Sequence, residues 1–133
     1  MLGHTRSLAR GGIMSFALTF LLVAQTFALD LNLSLDVRAD GTWVHYAFTR
    51  CITAADRPLL RVTQPPDNGT LHAYVRNPNT GARLGPIASI HQSNQNWHQL
   101  GPLPVNQCFR LTARKDGCCF IPGWVRWEGV LRF

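Results

Sequence analysis

Four cysteines, Cys51, Cys108 and the adjacent Cys118 and Cys119, carry the most legible chemistry in the chain. An even number of cysteines in an exported protein points to disulfides. Neighbouring Cα atoms lie ~3.8 Å apart, below the ~4.4–6.8 Å span of an ordinary bridge, so a direct Cys118–Cys119 bond is disfavoured. Two arrangements stay open. In the first, Cys118 and Cys119 each take a different partner, one Cys51 and the other Cys108, and staple one loop to two strands. In the second, Cys51 and Cys108 bond to each other, as in the inter-sheet bridge of an immunoglobulin-type sandwich. Cys118 and Cys119 are then free thiols, a strained pair or an intermolecular link. The C-x-x-C spacing of structural zinc is missing, and neither a metal nor a cofactor is expected.

The stretch "HQSNQNWHQ", residues 91–99, gathers neutral hydrogen-bonding groups around an indole. Amide side chains both donate and accept, and an indole face suits the apolar face of a sugar ring. Asn94, Gln95, Asn96, Trp97 and His98 are therefore a candidate glycan site. The plainer alternative is a polar connection whose Trp97 folds back onto the core.

Arginine supplies a third candidate. Alternation places Arg110, Thr112 and Arg114 on the outer side of one segment, and Trp124, Arg126, Glu128 and Arg132 on that of the next. If the two segments pair, Arg110, Arg114, Trp124, Arg126 and Arg132 line one face. Such a face suits an acidic surface polymer, lipid head groups or nucleic acid. The alternative is a solvated face with Glu128 paired to an arginine. No basic cluster reaches five residues, so no specific nucleic acid partner is expected.

Enzyme signatures are missing from the sequence. None of Ser34, Ser89 and Ser93 sits in G-x-S-x-G, and His45, His72, His91 and His98 show no H-E-x-x-H. Asp40, Asp67 and Asp116 each precede a glycine closely, where aspartate caps a bend. Asp56 and Glu128 remain, without a local signature for a two-carboxylate glycosidase. No catalytic residue is assigned, and a non-enzymatic protein is expected.

The elements that must position these groups are short strands. Residues 1–28 read as a secretory signal peptide. Arg6 and Arg10 come first, then an apolar run over 13–23, then the small-residue exit "TFA". The run is shorter than the ~20 residues of a membrane span. Cleavage after Ala28 would leave 105 residues (133 less 28), one secreted domain without a membrane span. Without Arg6 and Arg10, 11 basic residues face 7 acids, a net charge of +4.

Within 29–133, "LDLNLSLDVR" alternates apolar and polar residues in strict turn, the mark of a half-buried strand. "ADGT" then predicts a turn that makes 29–38 and 43–50 a hairpin. Further strands are expected at 59–63, 71–76, 86–92, 107–114 and 124–133. "DNGT" at 67–70 is expected to be a hairpin turn with Asn and Gly at positive φ. About seven short antiparallel strands predict an all-β, two-sheet sandwich, immunoglobulin-like in outline. Asn32 in "NLS" and Asn68 in "NGT" match the N-glycosylation pattern. The function expected from all this is a secreted, disulfide-stabilised binding or structural module. The alternatives are a glycan-binding module centred on Trp97, or a secreted effector such as a toxin or hydrolase inhibitor presenting "QPPDNGT".

Overall fold

The computed structural model describes residues 29–133 apart from 93 and 118–121. The expected signal peptide, and Cys118 and Cys119, lie outside the described residues. Eight strands are described: β1 (Asp30–Arg38), β2 (Val44–Cys51), β3 (Arg57–Gln64), β4 (Leu71–Arg76), β5 (Ala88–Ile90), β6 (His98–Leu103), β7 (Cys108–Lys115) and β8 (Trp124–Arg132). They form two four-stranded antiparallel sheets, β1-β8-β3-β6 and β2-β7-β4-β5. No helix among the described residues is long and apolar enough to cross a membrane.

The pairs β1–β8, β2–β7, β3–β6 and β4–β5 are nested, as in one long hairpin whose tip joins β4 to β5. Successive pairs fall in alternate sheets, and β3–β8 and β4–β7 contacts knit each sheet together. That is the strand order of a jelly roll, in place of the expected immunoglobulin-like outline. Three expectations change with it. The segments 29–38 and 43–50 are strands, but β1 and β2 lie in opposite sheets and form no hairpin. The 67–70 segment is a crossover from β3 to β4, with a 3-10 turn at Pro66–Asn68. Its positive φ, 47°, falls on Asp67, whereas Gly69 is extended at −102°. Lastly, β7 and β8 belong to different sheets and do not pair. Alternation dictates which face a side chain takes, but leaves the neighbouring strand open.

Inward alternation fills the space between the sheets. Leu33 and Val37 of β1, Leu60 and Val62 of β3, Phe109, Leu111 and Ala113 of β7, and Trp127 and Leu131 of β8 are all buried. The strand missed in the sequence is β6, "HQLGPL". Gly101 and Pro102 mask its pattern, and an edge strand tolerates a proline because one side of its ladder is unused.

Cys51 and Cys108 form a disulfide as direct register partners of β2 and β7. Of the two arrangements left open, the direct Cys51–Cys108 bond is the one observed, and the staple through Cys118 and Cys119 is overturned. The bridge also departs from the inter-sheet analogy, because it ties two strands of one sheet.

Candidate functional site

Trp97 lies just before β6 and covers the outer face of the β1-β8-β3-β6 sheet. The Arg132 guanidinium is 4.3 Å from its ring centre and that of Arg61 is 5.2 Å away. The indole is half-buried against these arginines rather than against the core. Cations already occupy the π surface that a sugar would need. Among its neighbours, Asn94 Oδ1 accepts the Asn96 N–H at 3.1 Å. Gln95 and Asn96 are exposed, and His98 is half-buried with Nε2 unpartnered. The amide-rich loop is thus a brace on the arginines of one sheet.

Arg132, and Arg126 on the same strand, are balanced by acids. Register puts Asp30 opposite Arg132, and Asp36 opposite Arg126. Arg132 donates to both Asp30 oxygens at 2.8 and 2.9 Å. The bonded guanidinium holds the Asp30 carboxyl below its ordinary value and raises Arg132. Arg126 donates to Asp36 Oδ1 at 3.0 Å and to Ser34 Oγ at 3.3 Å, and its pKa rises for the same reason. Glu128, expected to pair with an arginine, lies in register between Ser34 and Gln64.

The expected arginine set therefore divides. Arg126, Arg132 and Trp124 lie on one sheet, Arg110 and Arg114 on the other, because β7 and β8 are not neighbours.

Trp124, at the start of β8, is the most exposed aromatic side chain among the described residues, at 60%. Arg38 of β1, its register partner, packs its guanidinium 5.3 Å from the ring centre. Beside the indole is a groove of about 460 Å³ lined by Gln64, Pro65, Asp67, Trp124, Val125 and Arg126. Its two charged groups are held in place. Lys115 Nζ donates to Asp67 at 3.0 Å, and Asp36 holds Arg126. Pro66 is buried and anchors the crossover, so "QPPDNGT" forms a wall of the groove rather than a projecting loop. In the sequence, Asp67 reads as a turn residue and Gln64 as a strand end, and only the β3-to-β4 crossover beside β8 brings them to Trp124.

On the outer side of the other sheet, His72 lies opposite Ser89 on the edge strand β5. Its Nδ1 is 2.8 Å from Ser89 Oγ and its Nε2 is 2.6 Å from Asp116 Oδ1. The bond to His72 lowers the Asp116 pKa, and this carboxylate serves the imidazole. A hydroxyl, an imidazole and a carboxylate in line are the parts of an activated serine. Here they also form an ordinary cross-strand polar ladder. By contrast, Asp40 caps its turn as expected, accepting the Thr42 N–H at 2.9 Å, a bond that lowers its pKa.

Among the described residues, no group of three or more histidine, cysteine or acidic side chains is placed to hold a metal ion. No family model, no curated protein and no solved structure matches this chain.

Proposed function

We propose that this chain is an extracellular carbohydrate-binding module that takes a neutral sugar ring in the Trp124 groove. The observation that carries the reading is an indole 60% exposed on the rim of a polar groove. Arg38 lies over the ring at 5.3 Å, as a single arginine where Trp97 has two, and the indole surface that stays exposed offers a stacking platform for the apolar face of a pyranose. Gln64, Asp67 and Arg126 supply planar donors and acceptors that can each engage two adjacent hydroxyls. Asp67 and Arg126 bring opposite charges already paired with protein groups, so the groove suits a neutral sugar. Preformed geometry lowers the entropy lost on binding. The signal-peptide reading of residues 1–28 supports the same assignment, since export would bring the domain to extracellular glycans.

The test is a glycan array, followed by tryptophan-fluorescence titration of any sugar bound. Trp124→Ala should weaken binding about tenfold or more, by analogy with base stacking at roughly 1–3 kcal/mol. Trp97→Ala should leave the sugar affinity unchanged. A wild-type domain that binds no saccharide, or one for which Trp97→Ala abolishes binding and Trp124→Ala does not, would refute the assignment.

A further inference from the structure

The outer face of the β2-β7-β4-β5 sheet can be mapped from its register. One transverse row runs Thr49, Arg110, Arg76 and Arg83, on β2, β7, β4 and the segment bridged to β4. The next runs His45, Thr112 and Tyr74. A third holds Arg114, His72 and Ser89. Adjacent strands are ~4.8 Å apart, so Arg110 and Arg83 flank Arg76 in the first row.

The two faces of the sandwich differ in charge balance. On the other sheet, Arg38, Arg126 and Arg132 each form an ion pair with an aspartate, while Arg57 and Arg61 of β3 form none among the described residues. Among the described residues, Arg76, Arg83, Arg110 and Arg114 form none. Asp116 reaches the end of this face, where its partner is His72. Like charges directly opposite each other on neighbouring strands are destabilising. Arg76 and Arg110 are such a pair.

Arg76 has a structural task. It is buried, and it donates to Leu111 O at 2.7 Å, Thr112 Oγ1 at 2.9 Å and Tyr46 O at 2.9 Å. The Tyr46 carbonyl lies in the β2 bulge, where the ladder to β7 is interrupted. Burial and the charge of Arg110 both depress the Arg76 pKa. That task leaves Arg83, Arg110 and Arg114 unexplained. Arg110 spends one N–H on Thr49 Oγ1, at 2.9 Å, and Arg83 is exposed.

We propose that this face is a second binding surface, for an acidic polysaccharide whose carboxylate or sulfate groups engage Arg110 and Arg83, which flank the buried Arg76, and reach Arg114. Guanidinium forks match both anions in geometry. The aromatic side chains of the face point away from nucleic acid. Trp43 meets Tyr74 edge-on at 5.0 Å and carries Arg114 at 5.1 Å over its ring, so these rings are engaged within the protein rather than open to stack bases. With the Trp124 groove on the other side, the domain would join a neutral glycan to an acidic one.

The test is binding of wild type to immobilised heparin, hyaluronate and a poly-dT strand, at low and at high salt. Wild type should bind heparin or hyaluronate more tightly than poly-dT and release it with added salt. Sulfate and carboxylate recognition are told apart by which polysaccharide is preferred. The triple variant Arg83→Gln/Arg110→Gln/Arg114→Gln should lose at least about tenfold, from lost charge-assisted hydrogen bonds. Arg83→Gln alone should lose a measurable part, and it keeps the test decisive if the triple variant does not fold. Arg126→Gln/Arg132→Gln and Trp124→Ala should retain polyanion binding, which separates this surface from the sugar groove. Tighter binding to poly-dT, no binding to either polysaccharide, or equal losses in the Arg126/Arg132 variant would overturn the proposal.

Discussion

The Trp127 indole N–H donates to the Tyr46 hydroxyl at 3.0 Å, joining β8 of one sheet to β2 of the other through the core. Tyr46 in turn donates to the Asp36 carbonyl of β1 at 2.9 Å. Two polar groups inside the sandwich thus satisfy each other, and the chain of bonds specifies how one sheet sits on its partner.

Removing that hydroxyl strands both partners. Tyr46→Phe should destabilise the domain by roughly 1–3 kcal/mol, the cost of leaving buried polar groups unpaired. Burial pushes the Tyr46 pKa up to about 12 from 10.0. The unfolded chain therefore ionises first as pH rises, and the folded state keeps its proton. The contribution is fully present below pH 10 and is lost as pH climbs toward about 12. Denaturant midpoints across that window should fall steeply for wild type and less steeply for Tyr46→Phe. Parallel slopes would show that another group governs the alkaline limb.

The alternation of β1 is testable at adjacent positions. Leu33 is 6% exposed and faces the core, whereas Ser34 faces water. A carboxylate at Leu33 costs several kcal/mol, a large part of the roughly 5–15 kcal/mol that holds a domain together. Leu33→Asp should give insoluble or unfolded protein. Ser34→Asp places its charge near Arg126 and should be tolerated. Similar melting temperatures for the two variants would contradict the one-sided strand.

Cys51 and Cys108 close a loop with a sequence separation of 57. On the chain-entropy model such a bridge stabilises by about 4 kcal/mol. Replacing both with serine should lower stability by a comparable amount. Non-reducing peptide mapping should recover a peptide pair joined through Cys51 and Cys108. A peptide linking either of them to Cys118 or Cys119 would be inconsistent with the bridge described.

Strand positions and faces were legible in the sequence to a large extent. Observed β4 matches the expected 71–76, and Phe109, Leu111 and Ala113 turn inward as their alternation requires. The pairing was not legible. A period of two assigns Arg110 and Arg126 to outer faces, but nothing local to either strand says that the faces are opposite ones. The surroundings of Trp97 were equally hidden, because the arginines that pack over it come from β3 and β8, far along the chain. For Trp124 the composition was uninformative, because Gln64 and Asp67 reach it only through a crossover. The cysteines were half legible: one of the two open arrangements is the one observed, but in a different place in the sandwich.

The nested pairing has a kinetic corollary. At the hairpin tip, His72 finds Ser89 only 17 positions away, whereas Asp30 must find Arg132 across 102. Loop closure grows costlier with separation, so assembly is favoured from β4–β5 outward. β1 is an edge strand whose single sheet neighbour is β8. The segment synthesised first among the strands therefore waits for the segment synthesised last, and the apolar side of β1 stays unprotected until residues 124–132 have left the ribosome. A chain with this wiring cannot complete its sandwich before β8 is available, and it depends on β1 being kept from other partners in the meantime.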